Sequence, residues 1–449
     1  MTSGSPVRLI LRFALPMLAG NLLQQLYNLV DSLIVGRLLG VTALAAVSAS
    51  GWLDWAVLAA LMGLAQGFSI QAAQSFGAGN REELRRTVGQ SVLLSVAAVL
   101  LLEILSQSLL APILRWMNTP AETFHITENY LRIIFYGLPV VMAVNVLNGF
   151  LQALGNSRTP LLALACASVV NIVLDWVFVG PCGLGTDGGA LATVTAQAVS
   201  AAVSLAAVLR LPMLHPSRRD LHPDRPMSLR LLRLGLPLAF QNLIISVGGL
   251  VLQGVVNGFG FIFMAGFNAA SRLQGLVEMA GTALGNAVGT FTGQNIGARK
   301  MDRVHRGLRS SARIALLLAL ATGAFVVLLG RPLLSLFVQD DPALVDQVLS
   351  FGYQFLCVMA AGLPMLYLLF VYRSTLQGLG NTFIPMISGF VELAMRLCAA
   401  LLLPRFFGVW GVYTAEISAW IGAAVLLILC CYRELKKLSP ASDVSDHAV

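Results

Sequence analysis

The chain has 449 residues, 57% of them hydrophobic and only 11% charged, with a mean hydropathy of +0.80. A soluble globular chain carries about a quarter charged residues, so that class is excluded, and the strand alternation of an outer-membrane barrel is absent. The net charge of +8 is distributed among the loops in a pattern that membrane topology explains, which argues against a nucleic-acid partner.

Apolar runs recur from end to end, each long enough to cross about 30 Å of hydrocarbon as a helix. They predict an all-α polytopic membrane protein with about twelve helices, at approximately 10–38, 43–76, 84–112, 124–154, 159–180, 188–211, 229–257, 262–294, 303–337, 343–379, 382–404 and 408–433. Arg8 and Arg12 ahead of the first run mimic a signal peptide. That run is too long, however, and contains Pro16, Gln24, Gln25 and Asp31, so it reads as an uncleaved first helix. Pro16 and Pro139 are candidate kinks. The six cysteines (166, 182, 357, 398, 430 and 431) show no CxxC spacing and read as packing residues. Histidines fall mostly in predicted loops, without HExxH or clustering with cysteine, so zinc is not expected, and without GxxxxGK[ST] neither is ATP.

Alternate loops sort by charge. One side holds Arg8, Arg12, Arg81, Arg85, Arg86, Arg158, the segment Arg210 to Arg233, Arg299, Lys300, Arg303, Arg306, Arg309, Arg433, Lys436 and Lys437. The other has only Arg37, Arg115, Arg331 and Arg405, with acids at Glu122, Asp187, Asp340 and Asp341. The positive-inside rule then places both termini and the middle loop in the cytoplasm.

A polar, proline-rich stretch, HPSRRDLHPDRPMS (215–228), divides the chain, and the halves repeat. Arg12-Phe-Ala-Leu-Pro16 with Asn21 matches Arg233-Leu-Gly-Leu-Pro237 with Asn242, an offset of 221. Gln74-Ser-Phe-Gly77-Ala78 matches Gln294-Asn-Ile-Gly297-Ala298, an offset of 220. Gly137-Leu-Pro139 with Gln152-Ala-Leu-Gly155-Asn156 matches Gly362-Leu-Pro364 with Gln377-Gly-Leu-Gly380-Asn381, an offset of 225. Six helices per half is an even number, so the halves should be parallel repeats, a transporter design. The expected organisation is a first bundle at 1–212, a cytoplasmic linker at 213–228, a second bundle at 229–433 and a tail at 434–449. Because this design gives the cleft within one chain, a monomer is expected.

Two acids stand out. Asp175, in LACASVVNIVLDWVFV (164–179), lies four residues from Asn171 on one helix face, and Asp31 interrupts NLLQQLYNLVDSLIVG. An ionisable residue in a membrane helix is a functional-site hypothesis by default. At 1.5 Å per residue, Asp175 lies about 22 Å above the start of its helix, while Thr193 and Tyr130 lie about 8 and 9 Å below the outer ends of theirs. Asp31, Tyr130, Asn171, Asp175 and Thr193 can therefore line one outer-half cavity, with Tyr136 as an alternative to Tyr130. Asn21, Gln24, Asn28 and Asp31 form a stripe on the first helix, suited to interhelical hydrogen bonds or to a substrate cavity. In the second half, Glu392 and Arg396 are spaced to neutralise one another, and Glu278 is a further candidate for substrate contact. At an offset of 221, Asp31 corresponds to Leu252 and Asp175 to Arg396.

The paired halves, with ALPM, DSLIVGRLLG, QSFGAG, GLPV…LQALGNSRTP and NIVLDWVFV in this order, resemble the multidrug and toxic compound extrusion (MATE) family over approximately residues 8–433, and its DinF-like bacterial branch in keeping the acids in the first half. The resemblance implies a secondary antiporter of the bacterial cytoplasmic membrane that exports small organic, cationic amphiphiles in exchange for H⁺ or Na⁺, with no other cofactor. It also implies a coupling-cation role for Asp31, Asp175, Asn171, Thr193 and Tyr130. Two carboxylates with amide and hydroxyl oxygens suit Na⁺ at Asp31, Asn171, Asp175 and Thr193, and the same carboxylate pair can share a proton. Three rivals are weaker. A flippase for an anionic lipid-linked precursor should show several cavity arginines, yet only Arg132, Arg272, Arg373 and Arg396 lie well inside predicted helices. A membrane-embedded enzyme lacks a Ser/His, HExxH or GxGD signature. A channel would require a symmetric oligomer around a pore.

Overall fold

The computed structural model describes residues 1–117, 119–337 and 342–438, with the side chains at 41–42, 44–46, 48–50, 52 and 342–343 outside that description. Asp340, Asp341 and most of the predicted tail lie outside the described residues. No strand occurs among those that are described. The helices are α1 (Pro6–Gly40), α2 (Leu53–Gly77), α3 (Arg81–Trp116), α4 (Ala121–Tyr136 with Leu138–Ala153), α5 (Arg158–Val179) and α6 (Gly185–Leu209). In the second half follow α7 (Arg225–Asn257), α8 (Phe261–Gly297), α9 (Met301–Ser335), α10 (Pro342–Gly378), α11 (Phe383–Leu402) and α12 (Val409–Leu438). Among the described residues ten helices are long and apolar enough to span a membrane, and the bent α4 pair makes eleven. The remaining helix, α8, has 37 residues but is rich in glycine and amides, and it carries Arg272 and Glu278.

The breaks have local causes. Gly40, at φ 82° and ψ −175°, interrupts the helical run from Pro6 to Gly77. At α4, Gly137 and Pro139 accompany a 46° bend, whereas Pro16 sits in helical backbone. The repeated Gly-Asn pairs are helix stops followed by starts. Gly155 and Gly380 take φ of +91° and +89°, which an unbranched backbone tolerates. Asn156 Oδ1 then accepts the Thr159 N–H at 3.1 Å, and Asn381 Oδ1 the Ile384 N–H at 3.2 Å, opening α5 and α11. These starts fix the α5/α11 register at an offset of 225. Arg396 is therefore the counterpart of Asn171, and Ala400 that of Asp175, which corrects the correspondence read with a single offset of 221.

The chain forms two compact units, Phe13–Leu243 and Met1–Arg12 with Ile244–Val449. In the first, Leu61, Phe68, Leu131, Phe135 and Phe150 form a buried core. There α2 and α7 meet through small residues: a Cβ on Gly67 would lie 2.4 Å from Gly235 Cα, and one on Gly63 2.2 Å from Ala239 N. The stretch 215–228 is not a free linker. Gln90 of α3 donates to the Asp220 and His222 carbonyls at 2.9 and 2.7 Å and accepts from Asp224 N and Ser228 Oγ at 3.0 Å each. Burial would raise the Asp220 pKa. The Ser217 hydroxyl and N–H, each 2.7 Å from its carboxylate, together with Arg85 and Arg86, outweigh that and hold it below the usual range.

The second unit is built on α8, α9 and α10. Phe263, Phe267, Phe355 and Tyr413 stack with centroids 4.5–6.2 Å apart, and the Tyr367 hydroxyl donates to the Val277 carbonyl at 2.7 Å. All six cysteines are free, and Cys166, Cys182 and Cys398 are exposed, so packing does not account for those three.

Candidate functional site

The first unit encloses a cavity of about 440 Å³ between α1, α2, α4, α5 and α6. Its polar lining includes Asn21, Gln24, Tyr27, Asp54, Tyr130 and Thr193, set among apolar walls such as Leu58, Ile134 and Leu164. No Lys, Arg or His lines it among the described residues.

Asp175 sits beside this cavity, fully buried, with no hydrogen-bond partner for either carboxylate oxygen. Its neighbour one turn earlier, Asn171, is also fully buried and unpartnered at both amide atoms. Buried polar groups are nearly always satisfied, so two adjacent exceptions mark a place built to receive something else. Helix packing creates the place. Gly189 of α6 has no side chain, and the point where its Cβ would stand is 4.0 Å from Asp175 Oδ1 and 3.9 Å from Val35 Cγ2 of α1. The Asp31 carboxyl, on α1 between Tyr27 and Val35, reaches that of Asp175. Two carboxylates only accept, so they can bond one another only through a proton or a cation held between them. Around them, the Tyr27 hydroxyl lies against Thr193, and Tyr130 is within electrostatic range of Asp31, Asp54, Tyr27 and Asp175.

The structure thus brings Asp31, Asp175, Asn171, Thr193 and Tyr130 into one neighbourhood, and it prefers Tyr130 to Tyr136, which is 63% exposed. Asn21 and Gln24 line the cavity. Asn28 does not: it is exposed and accepts a hydrogen bond from Gln24 at 3.1 Å, so the stripe on α1 is split and its bond is intrahelical. Glu278 is not part of this cavity, since it belongs to the second unit, where Gln274 donates to it at 2.7 Å. Glu392 and Arg396 are not paired, contrary to their spacing. Arg373 binds Glu392, and Arg396 binds Glu416 at 2.8 Å, because partners on neighbouring helices lie closer than the one on the same face.

Two cavity residues escaped the sequence reading. Tyr27 precedes Asp31 by four residues, so helical spacing already placed it on that face. Asp54 interrupts the apolar run GWLDWAVLAALMG and leaves Oδ1 buried without a partner, the same signal that exposed Asp175. No cluster of three or more Asp, Glu, His or Cys that could hold a metal ion occurs among the described residues.

The MatE family model matches residues 16–177 and 237–401, one stretch in each half. The chain belongs to the MatE family. It is therefore a multi-pass membrane transporter. The chain is 30% identical over 445 residues to the probable multidrug resistance protein YoeA of Bacillus subtilis (strain 168), covering 94% of this chain and 92% of that protein. It is 28% identical over 421 residues to the probable multidrug resistance protein YpnP of the same organism, with coverage of 94% and 90%. A crystal structure of MATE in complex with MaL6 superposes with a TM-score of 0.91 at 25% identity, covering 97% of each chain. In this MatE chain the two matched stretches begin 221 residues apart, at Pro16 and at Pro237, the offset of the internal repeat.

Proposed function

We propose that this MatE transporter is a secondary antiporter. It exports organic, cationic and amphiphilic compounds in exchange for H⁺ or Na⁺, from a cytoplasmic membrane and as a monomer with both termini in the cytoplasm. The observation that carries the reading is Asp175, a fully buried carboxylate without a donor, facing a second carboxylate beside an apolar cavity. Membrane insertion of an ionised Asp near a helix centre costs about 2.5–3.5 kcal/mol, so such a pair persists where a cation neutralises it in part of the cycle. When the site faces outward, a cation enters and cancels the charge, and the neutral site returns through the closed state. Apolar walls and acids, with no basic side chain among the described lining residues, suit a cationic amphiphile, and the relatives named for multidrug resistance support drug export.

Substrate efflux from proteoliposomes, with a pH gradient and a Na⁺ gradient imposed separately, tests the reading. One of the two gradients should drive uphill export, and export indifferent to both would refute antiport. A cysteine at Ser217 should react with impermeant reagents only from the cytoplasm and one at Asp187 only from outside. Labelling of Ser217 in intact cells would overturn the orientation.

A further inference from the structure

The second unit carries charge in a place the proposed cycle does not use. Arg373 binds Glu392, Arg396 binds Glu416, and Glu278 takes only the Gln274 amide. These groups come from α8, α10, α11 and α12, and Glu278 is within electrostatic range of Arg396, Glu392 and Glu416. The remaining neighbour, α7, meets Arg396 at a glycine: a Cβ on Gly248 would lie 2.5 Å from Arg396 Nη1.

The internal repeat says what this place corresponds to. The Pro16/Pro237 register of 221 makes Gly248 the counterpart of Tyr27 and Leu252 that of Asp31. The α5/α11 register of 225 makes Arg396 the counterpart of Asn171 and Ala400 that of Asp175. In the first unit these positions supply a phenol, an amide and two acids around a shared site. In the second, both acids are apolar and buried, the phenol is deleted to glycine, and a guanidinium grows from the amide position into the space so vacated. Its counter-charge, Glu416, comes from α12.

We propose that Arg396 is a tethered cation. Its guanidinium fills the second-half counterpart of the coupling site, so that this half neither takes up nor releases a cation during transport. Arginine keeps its proton at any working pH and cannot leave, so the positive charge at Arg396 stays in place through the cycle. Coupling is thereby confined to the first half. The corollary is a latent site: without the Arg396 side chain, the part-buried Glu416 is left beside a space shaped for a free guanidinium-class cation.

The equivalence rests on reading Asp31 and Asp175 as the coupling site, but the occupancy of Glu416 does not, and the test addresses the occupancy. Arg396→Ala is purified in detergent and its thermal midpoint followed against methylguanidinium, well below denaturing concentrations, with tetramethylammonium as the control. The variant should melt below wild type. Methylguanidinium should raise its midpoint saturably, as expected for a ligand that binds only the folded state, while tetramethylammonium should not. In Arg396→Ala/Glu416→Gln, which removes both charges, that rise should vanish and the starting midpoint should exceed that of Arg396→Ala alone. If Arg396→Ala does not fold unaided, it is purified in methylguanidinium and the comparison begins there. A midpoint of Arg396→Ala insensitive to methylguanidinium, or a rise of equal size in the double variant, overturns the proposal. Failure of the coupling reading would appear instead as undiminished gradient-driven export by Asp175→Asn, which this melting experiment does not measure.

Discussion

Asp175→Asn offers the sharpest perturbation of the coupling site. It keeps the side-chain shape and both polar atoms but removes the negative charge, and the 0% exposure of the residue means that solvent cannot supply a substitute. A proton gradient of one pH unit stores about 1.36 kcal/mol per proton, which at one-for-one exchange sustains a roughly tenfold substrate ratio across the membrane. If Na⁺ is the partner, a tenfold Na⁺ ratio stores about the same, roughly 1.4 kcal/mol. With the charge gone, the empty site no longer resists the return step, so substrate can run down its own gradient but cannot be driven against it. In proteoliposomes with matched protein, wild type should approach the tenfold ratio and Asp175→Asn should settle near unity. Asp31→Asn should do the same, and the double variant should be little worse than either single one, as for residues that share one step. An Asp175→Asn protein that still builds the tenfold ratio would refute the argument and move the coupling site elsewhere, with Asp54 the next acid in the cavity.

The remaining predictions concern what holds the site in place. Gly67→Ala drives a methyl into the backbone of α7 at Gly235, 2.4 Å away, and should cost about 1–3 kcal/mol, read as a lower Tm in detergent. Glu392→Gln should destabilise by about 3–5 kcal/mol because it strands Arg373, and Arg373→Met combined with it should recover much of the loss. An equal loss from the double variant would show that the charges are not the cause. The Asp220 pKa is depressed in the folded state, so its contribution is complete above the unfolded value near 4 and disappears as pH falls through the lower folded value. Proteolysis at Arg218 and Arg219 should therefore accelerate only below about pH 4 in wild type, and at neutral pH in Asp220→Asn.

Much of this was legible in the sequence because membrane helices write their length and their exceptions plainly. The break near residue 40 and the Gly-Asn turns announced themselves as punctuation, and Asp31 and Asp175 as acids in apolar runs. What sequence periodicity resolves is contact along one helix. It placed Glu392 with Arg396 at one-turn spacing, whereas the actual partners, Arg373 and Glu416, stand on α10 and α12. The same limit set Asn28 in the cavity, although it is exposed and its side chain bonds Gln24, which does line it. Repeat registers drift by insertion, so one offset taken from α1 and α7 misplaced the counterpart of Asp175 by four residues, a full turn. The stretch 215–228 read as a spacer because proline and charge usually mean solvent. Here its carbonyls and amides are bound by one buried amide, Gln90, which nothing in its own segment distinguished.

Coupling at Asp31 and Asp175 is read most directly as the cation released when substrate binds. By linkage, a cation that weakens substrate binding must be weakened by the substrate to the same degree. Purified protein in weakly buffered detergent solution, titrated with a saturating cationic substrate, should release protons, or Na⁺ if the first gradient experiment selects that ion. Release should be close to one cation per wild-type chain and absent from Asp175→Asn, and undiminished release from Asp175→Asn would show that the carboxylate pair does not couple the two.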